Sequence, residues 1–348
     1  MILHTFTAPP PLWLGEAMEA FERQFTYPLG AGGAFHVSHG RQYVCFFQAM
    51  GDARVLVMER EGVVLGTVAV ICRPLRKPDG GRVMAYYVCD LKVAPGRMAG
   101  PVLARLLRAV KAHVLATGIG PVYGIVMGGT ARTPGKYTGR LGIPEFVKVG
   151  ELAVLRLPLM EASHPEMASR CREATWQEVE TLQASLTLGA WVPPGGNSPL
   201  RSEMQAVPLV AQNGGACGAV EDTRLGKRLV MNADGGSDNG HGTGSEMKAA
   251  HLSRFAFRDA ADGLALVRAA MHVAAQAGFP ALFLALPENE GGNEIGTSTS
   301  EAHRLKEMLV QEMGALYAPA TVYGAGVDAG QNGESGSGAV WWVDTAEI

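Results

Sequence analysis

Two stretches 159 residues apart share a pattern, and that repeat constrains the fold more than any other feature. His113-Val114 and Ala116 recur as His272-Val273 and Ala275, and each set runs on through a glycine and a bulky apolar residue to a proline, Pro121 or Pro280. In both places the residues before the proline read as an amphipathic helix and those after it as a short buried strand. A domain-sized period points to duplication rather than a solenoid. The chain has 348 residues, about the length of two average domains. The expected division is residues 1–160, a polar linker at 161–172, and residues 173–348.

The first half reads as mixed α/β. Residues 15–25 are helix-like. Runs at 54–60 and 63–73, split by Glu61-Gly62, predict a hairpin. Residues 83–93 form a long strand that meets a Pro/Gly turn, then a helix at 101–117 with Pro101 in its first turn. Residues 122–127 and 148–157 are further strands. The second half repeats the order: a helix at 175–184, a hairpin pair at 216–220 and 227–231, a long strand at 251–257, a helix at 263–277, a strand at 280–287, a helix at 300–313 and a last strand at 338–345. Three glycine-rich stretches, 233–244, 289–299 and 324–338, read as surface loops.

Composition narrows the class. Hydrophobic residues make up 47% and charged residues 18%, so each half can bury a core. Net charge is −3 and no basic stripe is present, which argues against a nucleic-acid partner. The five cysteines contain no CxxC pair, so neither a disulfide framework nor a structural zinc site is expected. No segment reads as a signal peptide or membrane span, which makes the cytoplasm the expected setting. His36 and His39 could serve as ligands or bases, but two histidines three apart without a third ligand, like His241 with Asp234 and Asp238, are too sparse to predict a metal.

The strand–turn–helix at 83–107 is a ready anion site, because helix N-terminal N–H groups point at whatever lies over the turn. Its turn reads Val93-Ala94-Pro95-Gly96-Arg97-Met98-Ala99-Gly100-Pro101-Val102. This turn and its flanks resemble the GNAT acetyltransferase superfamily, whose turn runs Q/R-x-x-G-x-G/A, often after V-x-P. Val93, Pro95, Arg97 and Gly100 fit; Val102 stands where glycine or alanine is usual, and the turn is one residue shorter. The resemblance covers residues 15–158 directly and 172–348 through element order.

The resemblance implies tandem GNAT-like folds, each a mixed, mostly antiparallel sheet flanked by helices, with a degenerate second copy. It implies acetyl-CoA as acyl donor. The pyrophosphate would lie on the N–H groups of Met98, Ala99, Gly100 and Val102, with Arg97 adding a charge. The pantetheine arm would pair with the backbone of Leu91, Lys92 and Val93, opposite 123–126, where an N–H would also polarise the thioester carbonyl. Asp90 is the implied base and Tyr137 the acid, with Thr138 at the more usual spacing from Gly142. In the second half Asp259 and Asp262 would repel a pyrophosphate.

On strand alternation alone, Asp90 shares a face with Tyr86 and Val88, opposite Tyr87 and Cys89. The reading that follows is an acetyl-CoA-dependent N-acyltransferase acting on a small-molecule amine, possible as a homodimer. The alternatives are a non-catalytic tandem module that binds acyl-CoA or a partner, and a transferase using another donor.

Overall fold

The computed structural model describes residues 1–28, 34–40, 43–130, 132–140, 142–159, 170–196, 198–231, 244–288, 297–327 and 340–348. Most of the expected linker, most of two glycine-rich loops and part of the third, and Asp234, Asp238 and His241 lie outside the described residues.

The first half comprises β1 (Ile2–Phe6), α1 (Leu12–Glu22), β2 (Tyr27–Pro28), β3 (Ala34–Ser38), α2 (Tyr43–Gln48), β4 (Asp52–Arg60), β5 (Val63–Arg76), β6 (Arg82–Val93), α3 (Ala99–Thr117), β7 (Val122–Met127) and β8 (Val147–Pro158). The second comprises β9 (Cys171–Glu173), α4 (Trp176–Leu186), β10 (Val207–Ala211), β11 (Ala216–Glu221), β12 (Arg228–Met231), β13 (Ala250–Phe257), α5 (Ala260–Gln276), β14 (Ala281–Glu288), α6 (Thr297–Met313) and β15 (Leu316–Ala325).

Both halves enter one twelve-stranded sheet ordered β1-β4-β5-β6-β7-β15-β8-β14-β13-β11-β10-β9. Read inward from either edge, the order matches: β1 with β9, β4 with β10, β5 with β11, β6 with β13, β7 with β14. The two central strands are exchanged. β15 pairs with β7 of the first half, and β8 with β14 of the second. Each half therefore needs the other to complete its sheet. Helices cover both faces. α1 and α2 supply Leu14, Met18, Phe21, Tyr43 and Phe47 to one core, and α3 supplies Val102, Leu106 and Val110 to another on the opposite face. α5 and α6 pack on the second half. A small sheet, β12-β3-β2, joins the halves again.

Two sequence expectations change. The hairpin partner of β11 is β10, joined through Asn213-Gly214, with Gly214 at φ +67°; an Asn-Gly pair is the residue choice such a turn demands. Residues 228–231 pair instead with β3. The expected last strand at 338–345 is replaced: the described residues 340–348 form one bridge, Trp191 to Trp341, and a short turn at Thr345–Glu347. The final strand is β15, whose Pro319 and alternating small residues hid it.

Candidate active site

The site begins where β6 and β7 part. They pair in parallel at Tyr86–Val122 and Tyr87–Tyr123, and beyond those pairs β6 backbone groups facing β7 lose their ladder partners. Gly124 keeps the mouth of the gap narrow: a Cβ there would lie 2.8 Å from the Val88 carbonyl oxygen and force the strands further apart. A bulge opens β6 at the same level. The β5–β6 register shifts between Thr67 and Ala69, Asp90 takes φ +51°, and the Thr67 hydroxyl donates to the Asp90 carbonyl at 3.2 Å. A bulge of this kind re-aims a side chain. It corrects the simple alternation: Tyr86, Val88 and Leu91 pack on the α3 side, Tyr87 and Cys89 on the α1 side, and Asp90 turns to that second side.

Asp90 there joins a buried charge network. Its Oδ1 lies 2.5 Å from Lys92 Nζ, which lies 3.1 Å from Glu22 Oε1 on α1. Glu22 also takes His39 Nδ1 at 2.6 Å and the His39 backbone N–H at 2.9 Å. Asp90 Oδ2 is buried without a hydrogen-bond partner among the described residues. Burial pushes the Asp90 carboxyl above its ordinary value, against the pull of Lys92 and His39. Burial acts the same way on Glu22, but His39 and then Lys92 outweigh it and hold that carboxyl low. For Lys92, Asp90 and Glu22 outweigh burial and raise the ammonium. Glu22, His39 and Asp90 bring ligating atoms within 4.8 Å of one another. The Lys92 ammonium already supplies the cation between the two carboxylates, so the network is closed rather than an open metal shell.

A cavity of about 720 Å³ passes this point. On the α3 side it is bordered by Leu107, Val110 and Tyr137; on the other by His39, Phe46, Phe47, Lys227 and Ile348. Burial, with Tyr323 adding to it, pushes the Tyr137 hydroxyl up to about 12, so it stays a donor. Thr138 instead braces its own loop. Its hydroxyl donates to the Pro134 carbonyl at 2.8 Å and accepts the Phe146 N–H at 3.0 Å. Leu141 lies outside the described residues. The floor is built by the last residues. Glu347 is held by Arg73 (2.6 Å) and Arg201 (3.1 Å), Tyr87 donates to its carbonyl at 3.1 Å, and Lys227 Nζ donates to the Ile348 carbonyl at 2.5 Å. Burial and then Arg201 lower the Lys227 ammonium to about 7.

No protein-family model matches the sequence, and no curated protein matches it. Solved structures do resemble the fold. Saccharomyces cerevisiae N-myristoyltransferase with bound myristoyl-CoA aligns over 93% of this chain and 82% of its own, at TM-score 0.54 and 10% identity. A second structure of that enzyme, with myristoyl-CoA and inhibitors, covers 92% and 79% at TM-score 0.56 and 9% identity. N-myristoyltransferase is a GNAT-fold enzyme. This chain has a tandem GNAT fold. A GCN5-related N-acetyltransferase from Anabaena variabilis aligns over 94% and 73% at TM-score 0.46 and 13% identity.

Within the GNAT fold the turn before α3 is sparser than expected. The Ala99 N–H donates to the Gly96 carbonyl at 3.1 Å and the Val102 N–H to Met98 at 3.0 Å. Val102 is also core, only 1% exposed, and so leaves the expected cradle. The N–H groups of Arg97, Met98 and Gly100 are the donors that remain for an anion over the turn. Arg97 is exposed.

The second half has the same frame with residues 344 and 345 set into it. β13 carries a matching bulge, with Arg254 at φ +52° and a register shift opposite Cys217 and Ala219. Asp344 accepts the Arg254 N–H at 2.6 Å, and Thr345 meets the His251 ring at 3.0 Å. At the start of α5, Asp259 caps the Asp262 N–H (2.9 Å) and Glu301 takes the Ala260 N–H (2.7 Å). Its own carboxylates fill the anion position. Sequence reading missed Glu22, Lys227 and residues 344–348. No motif marks them; a buried glutamate at the end of an apolar helix face was the one available signal.

Proposed function

We propose that the chain is an acyl-CoA-dependent N-acyltransferase that transfers an acetyl group directly to a small-molecule primary amine. The observation that carries this is the parting of β6 and β7 at a bulge whose carboxylate, Asp90, borders a cavity reaching both faces of the sheet. The bound myristoyl-CoA of the structural relatives supports an acyl-CoA donor. In this reading residues 1–160 hold the donor, with the pyrophosphate over Arg97 to Gly100 and the pantetheine arm along Leu91 to Val93. Residues 173–348 complete the acceptor side.

The reaction needs a neutral amine, a polarised thioester and a proton for the thiolate. Asp90 receives the ammonium and draws its proton; the raised carboxyl suits a base. The amine nitrogen attacks the thioester carbonyl carbon, and a backbone N–H near Leu91 stabilises the developing oxyanion. The C–N bond forms, the C–S bond breaks, the Tyr137 hydroxyl gives its proton to the leaving thiolate, and the second proton shed by the amine nitrogen as it becomes the amide restores that hydroxyl. All five cysteines are free thiols, which suits a reducing compartment such as the cytoplasm.

One observation favours a second reading of the donor. The cavity of about 720 Å³ far exceeds an acetyl group and is bordered largely by apolar side chains, which fits a longer acyl chain. Calorimetric titration with acetyl-CoA and with a long-chain acyl-CoA decides between them. Binding of neither overturns the proposal. Binding without thiol release across an amine panel favours a non-catalytic module.

A further inference from the structure

His39 is the one imidazole in the charge network beside the bulge, and its geometry is that of a base rather than a packing residue. Its Nδ1 is held by Glu22 at 2.6 Å and its backbone N–H by the second Glu22 oxygen at 2.9 Å. Both contacts fix the ring from one side. The ring is further clamped by Tyr43, Phe46 and Phe47, with centroids 4.7, 5.1 and 5.0 Å away. The residue is 6% exposed and borders the cavity. An imidazole donating from Nδ1 to a carboxylate presents Nε2 as acceptor, the arrangement by which a carboxylate orients a catalytic histidine.

In the buried cluster of Glu22, His39, Asp90 and Lys92, His39 is the side chain that can take up a proton while still paired with a carboxylate. The other titratable groups facing the cluster are Tyr27 of β2, which feels Lys92, Asp90 and Glu22, the Tyr43 ring of α2, and Lys227, whose charge reaches Asp90. A proton on His39 sits against the Glu22 carboxylate at 2.6 Å, inside a buried site where an unpaired charge is costly. One ring nitrogen of His39 and a carboxylate oxygen of Asp90 lie within 4.8 Å, a gap that one water can bridge.

We propose that the proton Asp90 draws from the acceptor ammonium passes to His39 Nε2, and that Glu22 is the positioning residue that holds His39 for it. This rests on the acyltransfer reading above. In the step, the ammonium N–H bond breaks, its electron pair stays on nitrogen as the nucleophile, the proton crosses Asp90 to Nε2, and Glu22 accepts the Nδ1–H of the resulting imidazolium. His39 returns the proton to solvent when the amide product leaves.

Two measurements test it. Nitrogen-15 NMR of the imidazoles, with His39 assigned by its loss in His39→Gln, reads the tautomer without any substrate. Neutral His39 is expected as Nδ1–H, turning to a mixture in Glu22→Gln; an Nε2–H tautomer in the wild type overturns the proposal. Thiol release from acetyl-CoA is then followed with two probes, ethylamine, protonated at pH 7, and hydroxylamine, already neutral. His39→Gln is expected to slow the ethylamine reaction about 100-fold or more and the hydroxylamine reaction much less. An equal loss with both probes assigns His39 to packing and overturns the relay while acyl transfer stands. No thiol release by the wild type with either probe overturns the acyltransfer reading itself, whatever the tautomer.

Discussion

Glu347 is the carboxylate on which the cavity floor depends, and Glu347→Gln tests that dependence with a number. Arg73, Arg201 and Glu347 are 1%, 1% and 3% exposed. Arg201 keeps a second partner, Glu221, at 2.6 Å; among the described residues Arg73 keeps the Pro194 carbonyl and the more distant charge of Asp344. Removing the carboxylate charge therefore strands one guanidinium in the interior, a change that costs about 3–5 kcal/mol. Unfolding entropy of about 2 cal/mol/K per residue makes each kcal/mol worth about 1.4 °C in a chain this long, so Tm falls by about 4–7 °C. Thermal unfolding followed by circular dichroism measures it, with Glu61→Gln as control. Glu61 meets Arg60 at 3.2 Å in an exposed pair, and its loss is expected to move Tm by no more than about 1 °C. The acid limb gives an independent sign. Burial would raise the Glu347 carboxyl, but Arg73 and Arg201 outweigh it and hold it below 4.5. A depressed folded value adds stability above the unfolded value of 4.5 that is lost as pH falls through the folded one. Wild type should therefore lose stability below about pH 4.5 more steeply than Glu347→Gln. A Tm drop equal to the control's, with parallel acid limbs, would refute the clamp.

The remaining expectations concern the opening. Asp90→Asn should keep donor affinity in calorimetry and lower thiol release by about 100-fold or more; in wild type the rate should rise with pH above the ordinary carboxyl range, since burial raises Asp90 and the deprotonated form is the base. Gly124→Ala should weaken acyl-CoA binding, because the added Cβ meets the Val88 carbonyl at 2.8 Å; unchanged affinity would separate the cavity from the donor site. Arg97→Glu should raise the acyl-CoA Kd at low salt by about tenfold or more, and an unchanged Kd would move the pyrophosphate elsewhere.

Much of the fold was legible because its signals are local. The strand at Val122–Met127 falls where the apolar run predicts it, and α3, β13, α5 and β14 match within a few residues. What stayed hidden depends on distant partners. β15 contains Pro319 and reads as loop, yet it pairs along its length with β7 and β8; a strand buried between two others is specified by them more than by its own propensity. The bulge at Asp90 could not be read from alternation, since one extra residue flips the face of everything beyond it. Glu22, His39 and Lys92 sit far apart in sequence and meet only because α1 and β3 pack on the same face of β6. The turn motif names Met98, Ala99, Gly100 and Val102 as donors, but the Ala99 and Val102 N–H groups are spent within the turn and Val102 serves the core.

One segment meets the same frame in both halves. Both long strands carry the bulge, Asp90 in β6 and Arg254 in β13, so the frame for a parted sheet exists twice. In the second copy residues 344 and 345 fill it, Asp344 on the Arg254 N–H and Thr345 on His251. Three residues further on, Ile348 borders the open cavity of the first copy. One segment thus meets both frames, Thr345 and Ile348 alike bordering the cavity, and the Arg73–Glu347–Arg201 clamp lies between them. The exchange of β8 and β15 makes this arrangement hard to dissect, because neither half closes its sheet alone. A first half expressed without residues 173–348 would lack β15, the neighbour of β7, and with it the floor of its own site. Such a fragment is expected to expose the β7 and β8 edges and to aggregate, whereas two separately expressed halves, refolded together, should recover acyl-CoA binding.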